Sequence, residues 1–158
     1  GLHTNGYALA RKIGFEGLGC GIEAFVEEFG CTVGEELLKP HRGYLKPLWP
    51  CLEQGLIKGL AHITGGGLLE NIPRVLPEGC AVRLHSGTWP VPPVYSFLAV
   101  HGRVDPAEMY RVFNMGVGMA VIVDPARADE VVESVRGAGE QAFRIGEVYA
   151  GGRGVTIQ

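Results

Sequence analysis

The sequence predicts an α+β fold, in which a mixed or antiparallel sheet of about four strands is covered mainly on one face by helices. Stretches of helical and strand periodicity alternate in the order helix–helix–strand–helix–strand–helix–helix–strand–helix–strand. The 158 residues, 46% hydrophobic and 20% charged, are enough for one well-packed core and few for two. We therefore expect a single domain over residues 1–158.

The first third of the chain is expected to be mainly helical. Thr4 or Asn5 can cap the first helix, and Thr32 can cap the third, with Glu35 and Glu36 in its first turn. Helices are expected over residues 7–13, 22–29, 33–38 and 47–54.

A strand, a glycine turn and a helix follow one another at the centre of the chain. Residues 57–64 predict a buried strand, and apolar residues at helical spacing continue from Leu68 to Leu76. Between them, Gly65-Gly66-Gly67 permits backbone conformations that a side chain would forbid. The N–H groups at the start of the helix make this turn a candidate anion site. A tight turn that only packs the strand on the helix explains the pattern equally well.

The remaining predicted elements are the other strands of the sheet and the helices that pack on it. Asp105 and Pro106 are typical of a helix start, and the continuous apolar run of residues 114–123 is typical of a central strand. Strands are expected over residues 80–84, 114–123, 141–149 and 155–157, and helices over 94–100, 106–113 and 129–135.

Charge and composition exclude several classes of function. A net charge of -3 and a pI near 6.0 argue against a nucleic-acid-binding protein. No apolar run approaches the roughly 20 residues of a membrane span, so we expect a cytoplasmic protein without membrane partners. The four cysteines form no C-x-x-C pair, and we expect reduced thiols and no metal site.

Several polar residues are open to two interpretations. His3 and Asn5 stand at a helix entrance, where they can meet a ligand, although Asn5 can be a cap and His3 a surface residue. Arg42 belongs to a cation cluster that can hold a phosphate or can be a solvated loop. His62 lies within the strand pattern, which favours a hydrogen-bonded core histidine.

Seven motifs occur in order along the chain: Gly1–Tyr7, Pro40-x-Arg42, Ala61–Gly67, Glu70–Pro77, Trp89–Pro93, Glu108–Met119 and Ile145–Val148. Together they resemble the C-terminal domain of phosphoribosylformylglycinamidine cyclo-ligases, the aminoimidazole ribonucleotide (AIR) synthetases of purine biosynthesis. The resemblance covers essentially all of the chain and implies the AIR synthase C-terminal fold.

The resemblance also implies a reaction and its partners. Formylglycinamidine ribonucleotide and ATP would give aminoimidazole ribonucleotide, ADP and phosphate, with Mg²⁺. In this family an N-terminal domain supplies most metal ligands, much of the ATP contact and the principal interface of a homodimer. This chain lacks that domain, so an isolated copy is expected to fold and not to catalyse.

Site residues are implied by the same motifs. His3 and Asn5 are expected to face the substrate as catalytic residues, His3 as a general acid or base. The residues expected to bind substrate or phosphate are Thr64, Gly65, Gly66, Gly67 and Arg42. Two alternatives stay open: a non-catalytic module that binds phosphate or nucleotide, and a sibling ATP-dependent enzyme of the same superfamily, which includes selenophosphate synthetase and a hydrogenase-maturation protein.

Overall fold

The structure, a computed structural model, describes residues 2–3, 5–17, 19 and 21–158. The chain forms two compact units that alternate along the sequence. Unit 1 comprises Gly1–His41, Ile63–Leu69 and Pro90–Gly118. Unit 2 comprises Arg42–His62, Glu70–Trp89 and Met119–Gln158.

Helices and short strands are mixed along the described part of the chain. The α-helices are α1 (Tyr7–Arg11), α2 (Val33–Leu37), α3 (Leu45–Glu53), α4 (Gly67–Asn71), α5 (Pro93–Gly102), α6 (Pro106–Val112) and α7 (Ala128–Gly137). The strands are β1 (Phe25–Val26), β2 (Cys31–Thr32), β3 (Ile57–His62), β4 (Cys80–Leu84), β5 (Met119–Val123), β6 (Gly146–Ala150) and β7 (Val155–Ile157). A π-helix (Lys12–Gly17) follows α1, and 3-10 turns occur at Ile72–Val75 and Pro125–Arg127.

Unit 1 is held together by helices around an aromatic core. Tyr95 and Leu98 of α5 meet Met109 of α6 and Phe113, and all four side chains are buried. The expected helix starts are confirmed here. Asp105 accepts the Ala107 N–H at the start of α6, and the Thr32 cap of α2 forms a reciprocal capping box with Glu35.

Unit 2 contains two sheets. In the first, β3 and β5 pair antiparallel, and α3 and α7 pack against the ribbon. The side chains of this cluster are Leu48, Cys51, Leu56, Val131 and Val135, with Met119, Val121 and Val123 of β5 against them. In the second sheet, β4 lies between β6, which is antiparallel to it, and β7, which is parallel to it.

The described strands form three small sheets, β1–β2, β3–β5 and β6–β4–β7, where the sequence predicted one of about four strands. The strand predicted over residues 114–123 begins only at Met119. Met115 and Gly116 have φ of 50° and 94°, and this left-handed backbone makes a turn instead of a strand. The mixed and antiparallel pairing was predicted correctly, and the size of the sheet was not.

One expected helix and one expected helix cap near the N-terminus are also wrong. Residues 22–29 form a turn and β1, which pairs with β2 across the Gly30 turn instead of forming a helix. The cap of α1 is Gly6, with φ of 76° and no side-chain cap bond, so Asn5 is not the cap. The alternative cap, Thr4, lies outside the described residues.

The longest described α-helices, α5 and α7, have ten residues each. Among the described residues, therefore, no helix has both the length and the apolar composition to cross a bilayer.

Candidate functional site

A buried asparagine organises the turn that follows α6. Asn114 is 3% exposed, and its side-chain oxygen accepts hydrogen bonds from the Tyr95 hydroxyl and the Gly116 N–H, both at 2.8 Å. Met115, between them, has a positive φ, which is rare for a residue with a side chain. Buried hydrogen bonds of this kind hold the backbone in a single conformation.

The glycine turn of residues 64–67 is held against the end of α6. Gly66 and Gly67 have φ of 98° and 56°, and the Gly67 N–H donates to the Thr64 carbonyl at 2.9 Å. A Cβ on Gly67 would lie 2.0 Å from the Tyr110 carbonyl oxygen, so only glycine fits here.

Gly65 differs from Gly67 in its surroundings. It is exposed, and a Cβ built on it would meet no atom within 4 Å. The same turn therefore has a structural glycine at Gly67 and an accessible one at Gly65. A bound group can approach the backbone at Gly65.

The predicted helix entrance packs against the same end of α6. The Asn5 side-chain amide donates to the Val112 carbonyl oxygen. Gly6 packs so closely on the Phe113 ring that a Cβ would lie 2.3 Å from it. Asn5 and the glycine turn are thus brought to one short backbone segment, although more than 50 residues separate them in the sequence.

His3 is a buried residue and not a surface one. It is 6% exposed, and its ring stacks on that of His41 with 4.4 Å between centroids and an angle of 38°. His41 was not predicted as a site residue. No local spacing connects positions 3 and 41, because the fold alone makes them neighbours.

Arg42 lies in unit 2, where its guanidinium forms an ion pair with the Glu140 carboxylate. The Arg42 side chain is exposed, as a solvated loop requires, and a phosphate would compete with this carboxylate. His62, also in unit 2, is exposed, so the core position that the strand pattern favoured is wrong. Its ring makes an edge contact with Tyr44, with 6.2 Å between centroids, and burial raises the pKa of the Tyr44 phenol to about 12.

Asn71, a further polar residue of the central motif, has a partner close by in unit 2. It is 4% exposed, and its side-chain oxygen accepts from the Arg74 guanidinium at 3.0 Å. The contact fits a role in supporting the 3-10 turn.

Within neither unit do three described His, Cys, Asp or Glu side chains converge closely enough to hold a metal ion. The residues of each unit taken by itself therefore do not fit a magnesium site, which needs several oxygen ligands in an octahedral arrangement.

The family model described as "AIR synthase related protein, C-terminal domain" matches residues 1–158. The chain belongs to this family. Within the AIR synthase C-terminal domain family, the motifs around His3, Gly65 and Asn114 are parts of one continuous match.

Two curated relatives are phosphoribosylformylglycinamidine cyclo-ligases. The chain is 48% identical over 148 residues to the phosphoribosylformylglycinamidine cyclo-ligase of Syntrophotalea carbinolica, covering 94% of this chain and 42% of that protein. It is 46% identical over 158 residues to the cyclo-ligase of Trichlorobacter lovleyi, covering 100% of this chain and 45% of that protein. The chain thus spans less than half the length of these relatives.

Solved structures support the fold of this AIR synthase C-terminal domain. E. coli HypE, a hydrogenase maturation protein, matches with a TM-score of 0.56 and 22% identity, covering 79% of this chain and 40% of HypE. A structure of the HypE–HypF complex matches with a TM-score of 0.53 and 21% identity, covering 87% of this chain and 46% of that one. At this identity the match concerns the fold alone.

Proposed function

We propose that this chain is the C-terminal part of a phosphoribosylformylglycinamidine cyclo-ligase. The reaction closes the imidazole ring of aminoimidazole ribonucleotide from formylglycinamidine ribonucleotide, with ATP converted to ADP and phosphate. The observation that carries the proposal is the 46% identity to a protein of that name over all 158 residues.

In this proposal His3 and Asn5 face the substrate. Ring closure requires a nitrogen nucleophile and an activated amide oxygen to be held in contact while protons move. Imidazole can exchange protons near neutral pH, and the stack with His41 limits the orientations that the His3 ring can adopt. Asn5 is positioned by its bond to Val112, and that bond supports a role in orientation.

The glycine turn of unit 1 is assigned to the phosphate of the substrate, and Arg42 of unit 2 is assigned a phosphate contact from its motif alone. The exposed backbone at Gly65 permits close approach, while the tight packing of Gly67 makes the turn rigid. A rigid site costs little conformational entropy on binding. Arg42 contributes a guanidinium that can exchange its Glu140 partner for phosphate oxygens.

ATP and Mg²⁺ are assigned mainly to the part of a full-length cyclo-ligase that this chain does not contain. Magnesium, when bound, neutralises charge on the phosphoryl group that is transferred. The chain alone is accordingly inactive, and the full-length protein is a homodimer whose principal interface lies in that other part. These assignments rest on the family.

A chimera tests the proposed function. The 158 residues of this chain replace the matching region of the Trichlorobacter lovleyi cyclo-ligase, and ADP release is measured with and without formylglycinamidine ribonucleotide. We expect substrate-dependent activity in the chimera, loss of at least about a hundredfold in its His3→Ala variant, and none in the chain alone. A folded chimera without substrate-dependent activity would contradict the proposal.

A control variant separates a catalytic role of His3 from a packing role. His101 of α5 also contacts an aromatic ring, that of Phe97 at 4.4 Å between centroids, and lies outside the proposed site. His101→Ala in the chimera should keep its activity. Equal losses from His3→Ala and His101→Ala would mean that His3 has only a packing role.

A further inference from the structure

Helix α3 has two apolar faces, and one of them points outward. Leu48 and Cys51 are buried against unit 2. Leu45, Trp49 and Leu52 are 66%, 51% and 37% exposed. Their spacing of four and three residues places these three side chains in one stripe along the helix.

Such a stripe is unusual on a protein surface. Single exposed apolar residues are common, but a continuous row with a tryptophan at its centre is typical of an interaction surface. We call Leu45, Trp49 and Leu52 the α3 stripe.

Two opposite charges flank the α3 stripe. At 100° per residue, Lys46 and Glu53 fall on the same side of the stripe, Lys46 near its beginning and Glu53 near its end. Both are exposed, and neither forms an ion pair with another described residue.

This pattern is complementary to itself when reversed. In an antiparallel pair of α3 helices, the charged side of one helix meets the charged side of the other. Lys46 then lies opposite Glu53 of the second copy, and the twofold axis repeats the contact. In a parallel pair, neither Lys46 nor Glu53 would lie beside a residue of opposite charge in the other copy.

We propose that the α3 stripe is the binding surface for α3 of a second copy of this chain, in an antiparallel pair centred on Trp49. The contact is isologous, so each copy supplies the same surface. Three apolar side chains from each copy make a small interface, and the dimer is therefore weak, dissociating in the micromolar range. The inference does not depend on the proposed catalytic activity.

Sedimentation velocity over a range of micromolar concentrations tests the proposal. We expect the chain to pass from monomer to dimer, and Trp49→Lys to stay monomeric throughout. Val100→Lys is the matched control, because Val100 is 71% exposed on α5 of unit 1. Circular dichroism melting shows that each variant is folded. A wild-type chain that is monomeric at all concentrations, or equal losses in the two variants, would overturn the proposal.

A charge exchange tests the antiparallel arrangement. Lys46→Glu and Glu53→Lys should each raise the dissociation constant, by about fivefold to tenfold, since each breaks two symmetric pairs. The double variant K46E/E53K restores both pairs and should return the constant to near the wild-type value. Without that recovery the helices do not pair antiparallel.

Acrylamide quenching gives an independent reading. Trp89 is 5% exposed and Trp49 is half-exposed, so quenching at low concentration reports mainly on Trp49. Quenching should decrease as the chain is concentrated, and it should not change with concentration in Leu45→Lys, which keeps Trp49 as the reporter. Quenching of the wild-type chain that does not change with concentration would contradict burial of Trp49 between copies.

Discussion

The two units hold their backbones in place by different means. Unit 2 relies on regular ladders, with β3 paired to β5 and β4 paired to both β6 and β7. In unit 1, side chains bond to the backbone at the end of α6 and in the turn after it: the Asn5 amide donates to the Val112 carbonyl, and the Asn114 side-chain oxygen accepts from the Gly116 N–H. Three of the four buried polar residues among the described part of the chain, His3, Glu36 and Asn114, lie in unit 1.

The difference indicates where precise positioning is required. A ladder tolerates many side chains, because its bonds are made by backbone atoms. An irregular turn held by one asparagine depends on that residue. The proposed catalytic and phosphate-binding residues, apart from Arg42, all lie in unit 1, where the backbone is fixed by individual side chains and glycines.

The largest expected effects come from two glycines that meet a carbonyl oxygen at the same distance. A Cβ would lie 2.0 Å from the Tyr110 carbonyl oxygen at Gly67 and 2.0 Å from that of Arg83 at Gly146. Gly67→Ala should lower the free energy of unfolding by about 3–4 kcal/mol, since its φ of 56° adds strain to the clash. Gly146→Ala, without a positive φ, should cost about 2 kcal/mol.

Urea unfolding measures both variants, and substrate titration separates them. Gly146→Ala should keep its ligand affinity once folded, and Gly67→Ala should lose it. If Gly146→Ala lost ligand affinity to the same extent, the loss in Gly67→Ala would reflect general destabilisation. Binding would then not depend on unit 1 in particular.

The asparagine turn should give the next largest effect. Asn114→Ala leaves the Tyr95 hydroxyl and the Gly116 N–H without this acceptor, and we expect a loss of about 2–3 kcal/mol in unfolding free energy. Adding Tyr95→Phe removes one of the two donors. The double variant should therefore lose less than the sum of the single variants. Additive losses in chemical denaturation would show that Asn114 is not the organising contact.

A small, pH-dependent effect is expected in the sheet of unit 2. The hydrogen bond from His85, at 2.7 Å, is the main cause that lowers the pKa of the Glu147 carboxyl, with Arg83 contributing. A lowered folded-state pKa stabilises the fold above the unfolded value and ceases to do so as pH falls through the folded one. Glu147→Gln should thus be less stable than wild type near pH 7, and the difference should disappear as the pH falls well below the ordinary glutamate pKa of about 4.3.

Glu133→Gln on α7 is the control for this measurement, since Glu133 is exposed and forms no ion pair with another described residue. Its stability difference from wild type should not change with pH. If the difference in stability between Glu147→Gln and wild type persists at acid pH, its cause is packing and not the charge of Glu147.

Local rules predicted the parts of the fold that depend on neighbouring residues. Asp105 and Thr32 cap helices as expected, and residues 80–84 and 155–157 are strands with the predicted bounds. Each depends on the side chains of a few adjacent residues, which the sequence displays directly.

The features that were not predicted depend on contacts between residues far apart in the sequence. The apolar run after Asn114 was predicted as strand throughout, but the buried bonds of Asn114 impose a turn before Met119. His41 beside His3 and Glu140 beside Arg42 were not foreseen, because no spacing rule relates such positions. The glycine turn was predicted as a site, but only packing distinguishes Gly65 from Gly67.

The central claim is that unit 1 contains a preformed binding site for the phosphoribosyl substrate at the glycine turn. Calorimetric titration of the chain with formylglycinamidine ribonucleotide tests it most directly, comparing wild type, Gly65→Val and the control Gly137→Val. Both glycines have open space where a Cβ would lie and neither has a positive φ, so both variants should unfold within about 0.5 kcal/mol of wild type. We predict that wild type and Gly137→Val bind and that Gly65→Val does not. Equal affinity in all three, or no binding by the folded wild-type chain, would contradict the claim.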